Sequence, residues 1–221
     1  MRLARALCII LTVASASFAQ APTTDQVLAK LDEKAKVFQT LEASITMVQV
    51  YSGVKTQAES GKLYMKTGKS GPMALMEITS PARSVKTALI KDGKAIMYNR
   101  PQNTYGEYRV DPNSNAFQLL LTGFGVSAET MKKHYIPQAK GREMIDGVTT
   151  EVLDLSFKPD QSGSFKGIVL WLDPKTWSPV QIRLTEKSNN TTEYKYSNVR
   201  LNKGVSDSVF KWTVPKDAVK Q

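Results

Sequence analysis

Leu89-Ile90-Lys91-Asp92-Gly93-Lys94-Ala95-Ile96-Met97-Tyr98-Asn99 is the stretch that sets the fold class. Two short apolar runs flank Asp92-Gly93, and Asp-Gly in that setting is a strong local signal for a two-residue hairpin, because both central positions of such a turn need positive φ. On either side the same texture continues. Segments rich in β-branched, Met and Tyr residues, with a period near two, predict strands over Ser44 to Tyr51, Gly61 to Thr67, Met73 to Thr79, Val85 to Lys91, Ala95 to Asn99 and Thr104 to Val110.

A second set follows: Thr149 to Lys158, Gly167 to Asp173, Val180 to Glu186, Thr192 to Leu201 and a terminal piece around Phe210 to Val214, punctuated by Asp146-Gly147 and Asp173-Pro174. Between the sets, Ser114 can cap a short helix carrying Phe117, Leu120 and Leu121, and Ser127 can cap another carrying Met131, with Gly123-Phe124-Gly125 joining them. Ahead of all strands, Thr23 and Gln26 form a capping-box pattern, and Val27, Leu31, Phe38 and Leu41 recur near helical spacing, which predicts one amphipathic helix from Thr24 to Leu41. Sequential strands at short spacing imply an antiparallel meander, and so many of them must curl into a barrel or split into packed sheets.

Arg2 and Arg5 precede an apolar run from Ala6 to Val13 that gives way to small residues ending Ser17-Phe18-Ala19. This is a secretory signal peptide, residues 1–19, too short to span a bilayer, where about 20 apolar residues are needed. The one cysteine, Cys8, sits inside the apolar run, so the mature chain from Gln20 has no thiol for disulfides, metal ligation or nucleophilic attack. A mature chain of roughly 200 residues makes a single domain, residues 20–221. The net charge of +10 is scattered over lysines such as Lys66, Lys91, Lys132 and Lys133, without a basic block. In an exported protein such a surface faces an anionic membrane or acidic cargo, or has no specific partner, and nucleic acid is not expected.

Catalysis finds little support. His134 is the only histidine, which rules out a histidine metal cluster and reads as a surface or loop residue. No nucleophile elbow, phosphate-binding glycine loop or metalloprotease helix is present. Glu77, Asp154 and Glu186 read as structural or solvated carboxylates, and no cofactor is implied. The informative residues are apolar: Met65, Met73, Met76, Met97, Met131 and Met144 suit an adaptable cavity, and Gly167 to Leu172 is apolar on both faces. A sheet with a helix on one face and ordinary core on the other would also account for this pattern.

In order, the initial helix, the strand Gly61-Lys62-Leu63-Tyr64-Met65-Lys66, the hairpin quoted above, the Leu-rich helix at Phe117 to Leu121, the strands Gly167 to Asp173 and Val180 to Leu184, and the closing Phe210-Lys211-Trp212-Thr213-Val214-Pro215 resemble the outer-membrane lipoprotein carrier family, the LolA/LolB-like proteins. The resemblance implies an α+β fold that is mainly β, an unclosed antiparallel β-barrel with a helical lid over an apolar cavity. It further implies a periplasmic carrier of lipoprotein acyl chains or another lipid, with transient membrane-protein donor and acceptor partners. A sensor or interaction module that recognises lipoproteins or a membrane partner is the alternative on the same fold. Expected cavity residues are Leu63, Met65, Leu75, Leu89, Met97, Val169, Trp171, Ile182 and Leu184; expected lid residues are Phe117, Leu120, Leu121 and Phe124. One departure concerns an Arg-Pro pair usual in the family after the strand of Leu63, where this chain has Thr67-Gly68-Lys69.

Overall fold

The computed structural model describes residues 20–68, 71–110, 123–159 and 163–221. Helix α1 (Thr24–Val37) opens with the expected capping box: the Gln26 amide donates to Thr23 Oγ1 at 3.3 Å and the Thr23 amide donates to Gln26 Oε1 at 2.8 Å. It buries Val27, Leu28 and Leu31. The helix stops at Val37 and not at Leu41, because an amide from the far end of the chain captures its exit. Asn202 Nδ2 donates to the Val37 carbonyl at 2.9 Å, and Asn202 Oδ1 accepts from the amides of Gln39 and Thr40 at 2.8 and 3.2 Å. Orphan groups at the helix end and the strand start are satisfied together, and Leu41 joins the alternating buried positions Ala43, Ile45 and Met47 of the first strand.

Strands β1 (Thr40–Tyr51), β2 (Val54–Lys55), β3 (Glu59–Gly68), β4 (Gly71–Ser80), β5 (Lys86–Lys91), β6 (Lys94–Asn99) and β7 (Thr104–Arg109) form the first set. After α2 (Ala128–His134) come β8 (Tyr135–Ile145), β9 (Val148–Phe157), β10 (Phe165–Leu172), β11 (Pro179–Glu186), β12 (Thr191–Leu201) and β13 (Val219–Lys220). All belong to one sheet with the order β13-β7-β6-β5-β4-β3-β1-β12-β11-β10-β9-β8, β2 pairing beside β1. The fold is mostly β with two described helices and an open, unclosed sheet. Every pairing is antiparallel except β13 on β7. Asp92 and Gly93 take φ of 50° and 72°, as the hairpin requires, and set Lys91 opposite Lys94.

Two expectations fail at the sheet's ends. Strand β8 has no counterpart in the sequence reading, because Pro137 and Gly141 interrupt it and its residues are largely exposed; as an edge strand it tolerates both, with Gly141 at φ 90° beside a register shift. Phe210 to Val214 is not a strand. Residues Asp207–Lys211 form a 3-10 turn that drives Phe210 into a small cluster with Leu75, Leu89 and Val205, and the terminal strand lies later, at β13. The helix expected from Ser114 lies outside the described residues, whereas Ser127 caps α2 by accepting from the Thr130 amide.

The main core lies between the helices and the inner face of the sheet. Val27, Leu28 and Leu31 of α1 and Met131 of α2 pack with Leu153, Leu155, Ile168, Leu170, Ile182 and Leu184. Asp32 accepts from the Ala128 amide at 3.2 Å, tying α1 to the start of α2. The cluster around Phe210 covers the outer face of β3–β5.

Gly61 sits where β3 shifts register against β4, and a Cβ there would lie 1.8 Å from the Glu77 carbonyl oxygen. Gly61→Ala is expected to cost about 1–3 kcal/mol through forced backbone displacement, read as a lower urea midpoint at unchanged m.

Candidate functional site

Antiparallel register builds a row of side chains across the inner face. Leu63 of β3 stands opposite Met76 of β4, Met76 opposite Ala88 of β5, and Ala88 opposite Met97 of β6. From the other side of β1, Tyr194 and Tyr196 of β12 stand opposite Met47 and Ile45, and Ile182 of β11 stands opposite Tyr194. Between these two groups lies an apolar hollow of about 230 Å³, lined among others by Ile45, Leu63, Met76, Ile182, Leu184 and Tyr196. Met97, on its rim, is 54% exposed, a large apolar side chain left open on a strand that is paired on both sides. Burial raises the pKa of the Tyr196 phenol far above its ordinary value; burial and then the nearby Glu59 carboxylate raise that of Tyr194. Both phenols therefore stay neutral.

Of the expected cavity residues, Leu63, Met97, Ile182 and Leu184 line this hollow. Leu89 borders it too, yet by register it shares the face of Leu75, and both pack in the outer cluster with Phe210. Met65 is buried in the main core. Val169 and Trp171 stand opposite Arg183 and Gln181, one step out of phase with Ile182 and Leu184, so they occupy the outer face. There the Trp171 indole donates to Glu143 Oε2 at 2.7 Å and the Arg183 guanidinium lies 4.9 Å from its ring centre. A charged cover of this kind explains why β10 reads as apolar on both sides.

Phe124 packs edge-on against Tyr196, centroids 5.2 Å apart, in the main core. Its neighbours Gly123 and Gly125 have φ of 88° and 137°, and a Cβ on Gly123 would lie 2.4 Å from Pro179 Cγ, so the glycines are required for this approach. The other expected lid residues, Phe117, Leu120 and Leu121, lie outside the described residues, as does Lys69. Sequence reasoning passed over Ile45, Ala88, Tyr194 and Tyr196. The signal was available for Ala88, since the Asp92-Gly93 turn alone places it opposite Met97.

A second hollow of about 370 Å³ adjoins the first and shares Met76, Ala88, Met97 and Tyr194 with it, but its further lining includes Gln49, Lys86, Asn99, Gln102 and Thr104. At the opposite, hairpin end of the sheet, a third hollow of about 480 Å³ is edged by Lys66, Lys91, Lys211 and Asp207. Among the described residues no group of three or more His, Cys, Asp or Glu side chains could hold a metal. His134, expected at the surface, is instead buried at the end of α2 beside Tyr135. Glu186 accepts from Ser188 Oγ and Asn190 Nδ2 within a turn.

The family model described as outer membrane lipoprotein carrier protein LolA matches residues 36–213. This chain belongs to the LolA family. LolA-family members are binding or carrier proteins, periplasmic or exported. An uncharacterised protein of Methanocaldococcus jannaschii is 24% identical over 213 residues, covering 96% of this chain and 58% of its own length, so the chain spans little more than half of that relative. An uncharacterised conserved protein from Thermus thermophilus superposes with a TM-score of 0.57 at 11% identity, covering 89% of this chain and 98% of that one. MucB superposes with a TM-score of 0.53 at 13% identity, covering 89% of this chain and 65% of that one. At these identities the structures share the LolA-like fold alone. No helix among the described residues is long and apolar enough to cross a membrane.

Lys66 Nζ donates to Asp207 Oδ1 at 2.6 Å, and this bond, reinforced by the charges of Lys66, Lys211 and Lys91, holds the Asp207 pKa below its ordinary 3.8. A lowered folded-state value means that the pair favours the folded state above the ordinary value and that this contribution disappears as pH falls through the lowered one. Carboxyl carbon NMR should show Asp207 titrating below an unstructured aspartate, and Lys66→Met should return it to the ordinary range.

Proposed function

We propose that this LolA-family protein is a periplasmic carrier that binds the acyl chains of a lipoprotein, or another lipid, on the inner face of its open sheet and moves them towards the outer membrane. In this reading residues 1–19 are a cleaved secretory signal peptide and residues 20–221 a single carrier domain. Membrane proteins that donate and accept the cargo make brief contacts with it, and nucleic acid plays no part. The observation that carries the proposal is the apolar row Leu63, Met76, Ala88 and Met97, ending in an exposed methionine beside a hollow lined by aliphatic and phenolic side chains.

Each acyl methylene withdrawn from water contributes about 0.8 kcal/mol, so retention at micromolar strength needs about ten of them, most of a chain's length. An open sheet lets a chain enter and leave sideways, without unfolding of the core. Methionines suit the task because their flexible, polarizable side chains repack around chains of differing length. The neutral phenols of Tyr194 and Tyr196 offer donors without charge.

The test is native mass spectrometry of the mature protein from a periplasmic fraction, together with uptake of a fluorescent acyl probe. Acylated species at roughly one per chain are expected. Met97→Lys should weaken probe uptake by about tenfold or more while leaving the thermal midpoint nearly unchanged, as its exposure allows. A lipid-free protein that also refuses acyl probes would overturn the carrier reading and favour recognition of a protein partner.

A further inference from the structure

The two adjoining inner-face hollows share residues and so form one groove, and the strand registers give that groove a direction. Along β5 the positions facing it run Lys86, Ala88, Ile90; along β6 they run Asn99, Met97, Ala95. Along β1 the order is Gln49, Met47, Ile45, with Glu59 of β3 opposite Met47. Each strand passes from polar to apolar toward the same end of the sheet.

The polar end holds charges that cancel. Lys86 Nζ lies 2.6 Å from Glu59 Oε2, and that carboxylate is largely buried. Beside the pair, Gln49, Asn99, Gln102 and Thr104 offer amides and a hydroxyl that both donate and accept. The apolar end is small. A methylene fills about the 30 Å³ of a liquid water, so a hollow of about 230 Å³ seats about eight methylenes, the scale of one acyl chain.

We infer that the groove takes a single acyl chain joined to an uncharged, hydrogen-bonding head, with the chain against Ile45, Leu63, Ile182 and Leu184 and the head against the Glu59–Lys86 pair and its amide neighbours. The inference rests on the carrier reading above and names its ligand class. An ionised head is selected against: Lys86 is already neutralised, and a second carboxylate there meets the like charge of the largely buried Glu59. A monoacylglycerol and the acylated end of a polypeptide both have the required chemistry.

The experiment displaces neutral N-phenylnaphthylamine from the full mature chain with monododecanoylglycerol, dodecanoate, N-dodecanoylglycinamide and didodecanoylglycerol, at a mildly alkaline pH where dodecanoate is ionised. The glycerol monoester is expected to compete about tenfold better than dodecanoate, the scale of one charge-assisted contact. The two-chain ester should compete no better than the monoester. Glu59→Gln frees Lys86 and should strengthen dodecanoate by about tenfold while moving the monoester less than about threefold. Such a gain of binding cannot come from damaged folding. Lys86→Gln, at a more exposed position, should weaken dodecanoate further with the circular dichroism spectrum unchanged.

Competition by the glycinamide equal to that of the monoester supports an acylated polypeptide as one source of the head; competition by the monoester alone supports a free lipid. If dodecanoate and the monoester compete equally and Glu59→Gln moves both alike, the inference fails while the carrier reading stands. If none of the four displaces the fluorophore, both fail.

Discussion

An open sheet that is apolar on one face needs a cover, and how far that cover extends determines most of this molecule. Helix α1 supplies Val27, Leu28 and Leu31 to the main core, and α2 adds Met131. Helix α1 is held at two points. Asp32 bonds the Ala128 amide, and Asn202, at the close of β12, holds Val37, Gln39 and Thr40. None of the described helical residues lines the hollow between Leu63 and Tyr196. The same sheet therefore has a stretch packed under the helices and, running out to the exposed Met97, an apolar hollow that no described helix covers.

How much of this could be read from the chain follows from the range of each determinant. The hairpin closed by Asp92-Gly93 was legible because two adjacent residues decide it, whereas Asp146-Gly147 read only as punctuation before β9. The end of α1 was not, since Asn202 lies 163 residues from Gln39 and no local pattern announces it. Strand β8 was missed for a different reason: at an edge, with one face in water, alternation fades and Pro137 and Gly141 look like punctuation. The fold class survived these errors because most strands are short-range hairpin partners.

The lining of the candidate hollow was legible in part, chiefly for one physical reason. Alternation assigns residues to two faces but does not say which faces the helices, and a one-residue error exchanges them. Leu63, Met97, Ile182 and Leu184 fall inward, whereas Leu75, Val169 and Trp171 fall outward because their strands carry apolar side chains on both faces. Outer-face Leu75 is buried by Phe210, and Trp171 by Glu143 and Arg183. Tyr194 and Tyr196 look like ordinary strand aromatics in sequence. Only their register opposite Met47 and Ile45 brings them to the hollow.

The ends of an open sheet carry unpaired backbone groups that could template a second copy of the chain. At one end, β8 places Pro137, the Gly141 bulge and the charges of Lys140, Arg142 and Glu143 along its length, features that discourage an added strand. At the other, two residues of β13 cover part of β7 in the parallel sense and leave no long ladder exposed. A sheet that stays open, with both of its edges blunted in this way, thereby resists edge-to-edge polymerisation.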